Sequence, residues 1–154
     1  MIDVRALVSQ CRSGVHWVGA ETDSAAIART ASRFGWDFAL LDGDEVIDKG
    51  SLLDAAAKGL SFPATFGRNW DALEDCLCDL SWRTGKGTLL LWAPVDPIRS
   101  QDPGALETAI DVLRASASWW AREGRPFLAL LGGMRRPRGL GEDLGPGRSR
   151  RLSR

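Results

Sequence analysis

Two short runs of unbroken apolar residues constrain the fold more than any other feature of the chain: GTLLLW at 87–92 and PFLALLGG at 126–133. A strand that is apolar on both sides has to be covered on both faces, which is the situation of a parallel sheet between helices. The segments flanking these runs supply the helices. Leu52, Leu53, Ala56, Ala57 and Leu60 recur at helical spacing after a cap at Asp48 or Ser51. That helix should stop before Phe62-Pro63, because a residue preceding proline is pushed out of the helical region. A longer helix is predicted over 104–123, with Leu106, Ile110, Val112, Leu113, Ala117 and Trp120 on its apolar side. The fold class that follows is α/β: a small parallel sheet packed by helices.

A third strand, WDFALLDG at 36–43, closes in a turn at Asp42-Gly43, and GVHWVG at 14–19 reads as an extra N-terminal strand bounded by glycines. Between them Thr22, Asp23 or Ser24 can cap a helix that runs to about Phe34 and ends at Gly35. Strand, helix and strand in so few residues predict a βαβ unit with its two strands paired in parallel. Residues 1–13 are only weakly amphipathic, and Pro94, Pro97 and Pro103 predict an irregular loop.

With 154 residues, 44% of them hydrophobic, the chain has material for one core. No apolar stretch approaches the length of a transmembrane helix, and the opening residues lack the apolar block of a secretory signal. Three cysteines form an odd set in which Cys76 and Cys78 are too close in sequence to staple a fold, so a reduced, cytoplasmic setting is expected. The single histidine, His16, lies in a strand-like run with no second ligand cluster, so neither a metal nor another cofactor is expected. A Ser/His/Asp or Cys/His site would need that same residue, and the chain reads as a non-enzyme.

The formal net charge of zero divides unevenly. Residues 133–154 carry seven arginines against Glu142 and Asp143, a net of +5, which leaves the first 132 residues at −5. An acidic body repels phosphates and attracts basic proteins, although a charge of this size is ordinary for a small domain. From Met134 onward the near absence of apolar residues predicts a disordered tail.

The most informative segment is FPATFGRNWDALEDCLCDLSW. From Asn69 to Leu80, Trp70, Leu73, Cys76, Leu77 and Leu80 fall on one helical face and Asp71, Glu74, Asp75 and Asp79 on the other. Asn69 is a good N-cap, and Gly67 allows a sharp approach. Asp71 gains from the helix dipole, whereas Asp75, stacked on it at i, i+4, repels it by roughly 0.2–0.5 kcal/mol. Charged residues on an outer helix face are ordinarily just solvated. Two stacked carboxylates also make a receptor for arginine forks. Arg68, beside them, would weaken attraction for a basic partner or pair with Asp71.

The run LDGDEVIDKGSLLDAAAKGLSFPATFGRNWDALEDCL resembles the barstar family: strand, Gly-containing turn, helix, then proline, two residues, an aromatic, glycine, asparagine and a D-A-L-x-D-C-L helix. LLLW, the helix ending at Glu123-Gly124 and the final apolar strand continue that order. The resemblance implies a cytoplasmic inhibitor, an immunity protein, whose acidic helix and preceding loop plug the active site of a small basic ribonuclease. By position it implies partner contacts at Asp71 and Asp75, with Asp75 central, then at Asn69 and Gly67, and at Glu123 on the periphery. Thr65 stands where the family has an aromatic contact, and Glu74 replaces a tryptophan. Arg68 replaces an acid, and Trp119 falls where another acid would lie. Asp79 extends the carboxylate row. The altered rim keeps open a second reading, a barstar-like interaction module that binds a non-nuclease protein, with Trp17, Trp36 or Trp82 involved. The division expected is 1–35 as an N-terminal extension, 36–133 as the barstar-like domain and 134–154 as the arginine-rich tail. Direct nucleic-acid binding is not expected, the tail being its only candidate, and no membrane is expected.

Overall fold

The computed structural model describes residues 2–137 and Leu140. Four parallel strands form one sheet: β1 (Gly14–Gly19), β2 (Asp37–Asp42), β3 (Thr88–Ala93) and β4 (Phe127–Gly132), in the order β1-β4-β3-β2. The α/β reading holds, and the extra N-terminal strand makes the fourth member of the sheet. β3 and β4, apolar throughout, take the two central positions, where both faces are covered.

The expected pairing within the first βαβ unit does not occur. β1 and β2 run parallel but form opposite edges of the sheet, and the helix between them, α2 (Ser24–Arg33), packs against β2 and β3. Burial accounts for this outcome. Every residue of β1 is half-buried, which suits an edge, whereas the two fully apolar strands have to be central.

Register divides the sheet into two faces. Val15, Ala129, Leu90 and Ala39 form one row across it, and Trp17, Leu131, Trp92 and Leu41 another. These rows face the larger core, closed by α3 (Lys49–Leu60), α4 (Trp70–Asp79) and α6 (Pro103–Glu123). Leu89, Leu91, Leu128 and Leu130 point the other way, into a smaller core with Trp36. Leu7 and Val8 of α1 (Val4–Ser9) and Ile27 and Ala31 of α2 cover that face.

Local signals fix the helix ends. Asp3, Asp23, Asn69 and Asp102 each accept a backbone N–H at the start of a helix. Asp48 and Ser51, the two candidate caps of α3, act together as a capping box. The stretch expected to be irregular around three prolines instead contains α5 (Asp96–Gln101). Pro97 lies in its first turn and Pro103 opens α6, positions where the missing N–H is not needed. A Cβ on Gly43 would run into the Pro94 carbonyl oxygen, so only glycine lets the turn after β2 press against the turn after β3.

At the opposite end of the sheet, Arg125 ties three strands together. It donates to Asp37 Oδ2 at 3.1 Å, Thr88 Oγ1 at 2.9 Å and the Gly85 carbonyl at 2.9 Å. Its guanidinium lies over the Trp120 ring, 5.4 Å from the centroid. Beyond β4 the Met134 amide donates to Asp96 at 3.0 Å, and Leu140 is buried in the larger core. In the segment expected to be disordered, residues 134–136 are exposed and Pro137 and Leu140 are buried; apart from Leu140, residues 138–154 lie outside the described residues. Among the described residues no helix is long and apolar enough to cross a membrane.

Candidate functional site

α4 is fixed on its inner side by packing and at both ends by hydrogen bonds. Leu73 and Leu77 are buried in the larger core, and Leu80 follows as the left-handed C-cap. Trp70 is half-buried, with the Lys49 ammonium 5.6 Å from its ring centroid. At the N-terminus Asn69 Oδ1 accepts the Ala72 amide at 2.7 Å, while Asn69 Nδ2 donates to the Gly67 carbonyl at 3.4 Å. In the last turn the Leu77 carbonyl accepts Trp120 Nε1 from α6 at 2.6 Å.

The outer face is a row of carboxylates. Asp71, Glu74, Asp75 and Asp79 are all exposed, and no ion pair among the described residues engages any of them. Asp71, Asp75 and Asp79 succeed one another every four residues, about 6 Å apart along the axis. Like charges at this spacing disfavour the helix slightly, so the row is not explained by helix stability. Asp71 alone lies in the first turn, where the helix dipole favours it.

The loop from Ser61 to Asn69 is pinned from beneath by aromatic rings. Phe62 meets Phe66 edge-on at 4.9 Å between centroids and Trp82 at 6.1 Å. Trp82 Nε1 in turn donates to the Leu60 carbonyl at 2.9 Å. With its aromatics turned inward, the loop leaves Pro63, Ala64, Thr65 and Gly67 exposed beside the start of α4.

Arg68 does not pair with Asp71. Its backbone is left-handed, with φ 53°, and Nε donates to Asp54 Oδ1 on α3 at 2.8 Å. An exposed pair of this kind adds little stability, but it turns the one cation of the loop away from the carboxylate row. Cys76, expected on the core face, is half-buried at the boundary. Burial raises its thiol pKa, and Asp79 and Asp75 raise it further. Cys78 is also raised, chiefly by burial, against a lowering hydrogen bond with Ser116. Both thiols are thus less nucleophilic than a free cysteine at neutral pH. No group of three or more His, Cys, Asp or Glu residues among the described residues is placed to hold a metal ion.

The structure brings Asp71, Asp75 and Asp79 into one row, with Glu74 alongside and Gly67 and Asn69 at its N-terminal end. Thr65 stands on the adjoining loop. Glu123 lies apart from the N-terminal end: it closes α6, one turn beyond the Trp120 that touches the last turn of α4. Asn69 uses its side-chain oxygen to cap the helix. Two supporting residues, Asp54 and Trp120, were not legible in the sequence, because their partners lie 14 and 43 residues away.

No individual curated protein matches the chain. A family model described as Barstar (barnase inhibitor) matches residues 36–132, from the residue before β2 to the end of β4 and including the whole of α4. On that match, which spans more than half its length, the chain belongs to the barstar family.

Proposed function

We propose that this protein inhibits a small basic ribonuclease by occlusion, with α4 and the Ser61–Asn69 loop seated in the enzyme's active site. The observation that carries the reading is the row Asp71–Asp75–Asp79, exposed, without an ion-pair partner among the described residues and held on a packed helix. A ribonuclease binds RNA phosphate with cationic groups, and carboxylates fixed in advance can take those groups without ordering themselves on binding. Asp75 is the energetic centre, Asp71 and Asp79 flank it, and Gly67, Thr65, Asn69 and Glu74 form the surrounding contact surface. Glu123 contributes at the periphery. The mechanism is steric and electrostatic, with no chemical turnover by the inhibitor, and it accounts for the acidic body as a steering field for a basic partner.

The test is a low-salt pull-down from the source cells and their medium, with wild type and Asp75→Ala as baits. The expected result is a small basic nuclease captured by wild type and lost by the variant. The weakening should amount to about 2–5 kcal/mol, the usual cost of truncating one partner of a buried charge pair, a range to which this family's own interface contributes. Equal capture by both baits would remove the site assignment.

One observation favours a second reading, a barstar-like module for a non-nuclease protein. Arg68 is held by Asp54 and Thr65 is small, so the loop presents a different surface from the acidic and aromatic one its family resemblance implies. A captured partner without ribonuclease activity, lost with Asp75→Ala, would select that reading.

A further inference from the structure

A groove of about 690 Å³ runs along the outer edge of the sheet, between β2 and the exposed side of α3, and is separate from the outer face of α4. Leu40, Val46 and Ala55 supply its apolar lining, and Asp42, Glu45 and Asp54 its carboxylates. Leu40 is 43% exposed, and Ile47, whose amide donates to Ser51 Oγ at the groove's end, is 45% exposed. With Met134 these are the exposed large hydrophobic residues among those described. Among the described residues β2 pairs only with β3, and no strand lies along its other edge. Asp44 and Asp48 add to the charge in the same turn, while among the described residues Lys58 is the one cation in the lining and Arg68 is paired with Asp54. Such a surface fits a short cationic segment that carries an aliphatic side chain.

The chain contains such a segment. Leu140 is buried in the larger core at 3% exposure, which ties the chain to the body at that residue. Fourteen residues follow, ending RSRRLSR, with Leu152 between Arg148, Arg150, Arg151 and Arg154. Twelve residues from Leu140 to Leu152 reach roughly 40 Å when extended, more than the breadth of a body whose radius of gyration is about 14 Å. Reach therefore permits the contact, and chemistry selects the place. The outer face of α4 offers these residues carboxylates alone, whereas the groove offers carboxylates together with exposed aliphatic surface.

We propose that residues 148–154 dock in the groove between β2 and α3 of their own chain, with Leu152 against Leu40 and the arginines on Asp42, Asp44 and Glu45. The contact covers the open edge of the sheet, a position that otherwise invites pairing with another chain. It does not depend on the ribonuclease reading.

The test compares backbone amide NMR spectra of the full chain and of a full-length variant with Arg148, Arg150, Arg151 and Arg154 all replaced by Ser. Amide shifts should differ at residues 40–47 and 54–59. Added salt should move the wild-type signals toward those of the variant, and the difference should be unchanged on twenty-fold dilution. Leu152→Gln should reproduce part of it. Shifts confined to residues 141–154 would overturn the proposal, as would shifts on α4 at 70–79. A difference that fades on dilution would assign the contact to a second copy and overturn the intrachain docking.

Discussion

The carbonyls of the last helical turn have no partner within their own helix, and in α4 one of them is satisfied from outside. Leu77 accepts the buried indole N–H of Trp120, which also packs edge-on against Trp119 at 4.8 Å. Trp120→Phe keeps a ring in place but removes this donor, and should lower stability by about 1–2 kcal/mol, read as a shift of the urea midpoint. An unchanged midpoint would mean that the carbonyl is as well served by water. Single residues were legible in the sequence where their partners are close. Asn69 as a cap follows from the residue type and the helical run after it, and Gly124, with φ 80°, from its place just past the last helical residue. Arg68 was not legible. Its left-handed backbone turns the side chain toward α3, and nothing in the neighbouring sequence marks Asp54 as its partner.

Among the elements, α4 shows most directly how a local cap holds an exposed row of carboxylates in place. Asn69→Ala should cost about 1 kcal/mol of stability while Asn69→Ser recovers most of it, measured by urea unfolding without any partner present. Were Asn69 only a contact residue, both variants would unfold like the parent. Asp48 at the start of α3 is governed by pH as well. The Ser51 amide, and then its hydroxyl, hold the Asp48 carboxyl below its ordinary value. Its contribution to the cap is therefore present above the ordinary carboxylate range and is lost as pH falls through the lowered value. Helix boundaries were readable because such caps are local. α5 was missed because Pro97 sits in its first turn and Pro94 and Pro103 flank its six residues, and proline in a first turn looks like proline in a loop.

For the whole molecule, the division between the family-matched region and the residues before it runs through the two faces of one sheet. Residues 36–132 carry the large core and the carboxylate row, whereas α1, α2 and β1 come from the residues before them. Deleting residues 2–35 would uncover Trp36, Leu89, Leu91, Leu128 and Leu130 together and leave β4 an open edge. The shortened chain should aggregate or bind a hydrophobic dye where the full chain does not. A shortened chain that stays monomeric and keeps its melting temperature would show that this cover is dispensable. Sequence distinguished strands from helices well but misplaced β1, since proximity along the chain suggested β2 as its neighbour and only the demand for two covered central strands excludes it. The position of β1 also sets an order in time. Among the described strands β1 is made before the others and pairs with β4, made after them, so during synthesis this sheet cannot be closed until β4 has left the ribosome.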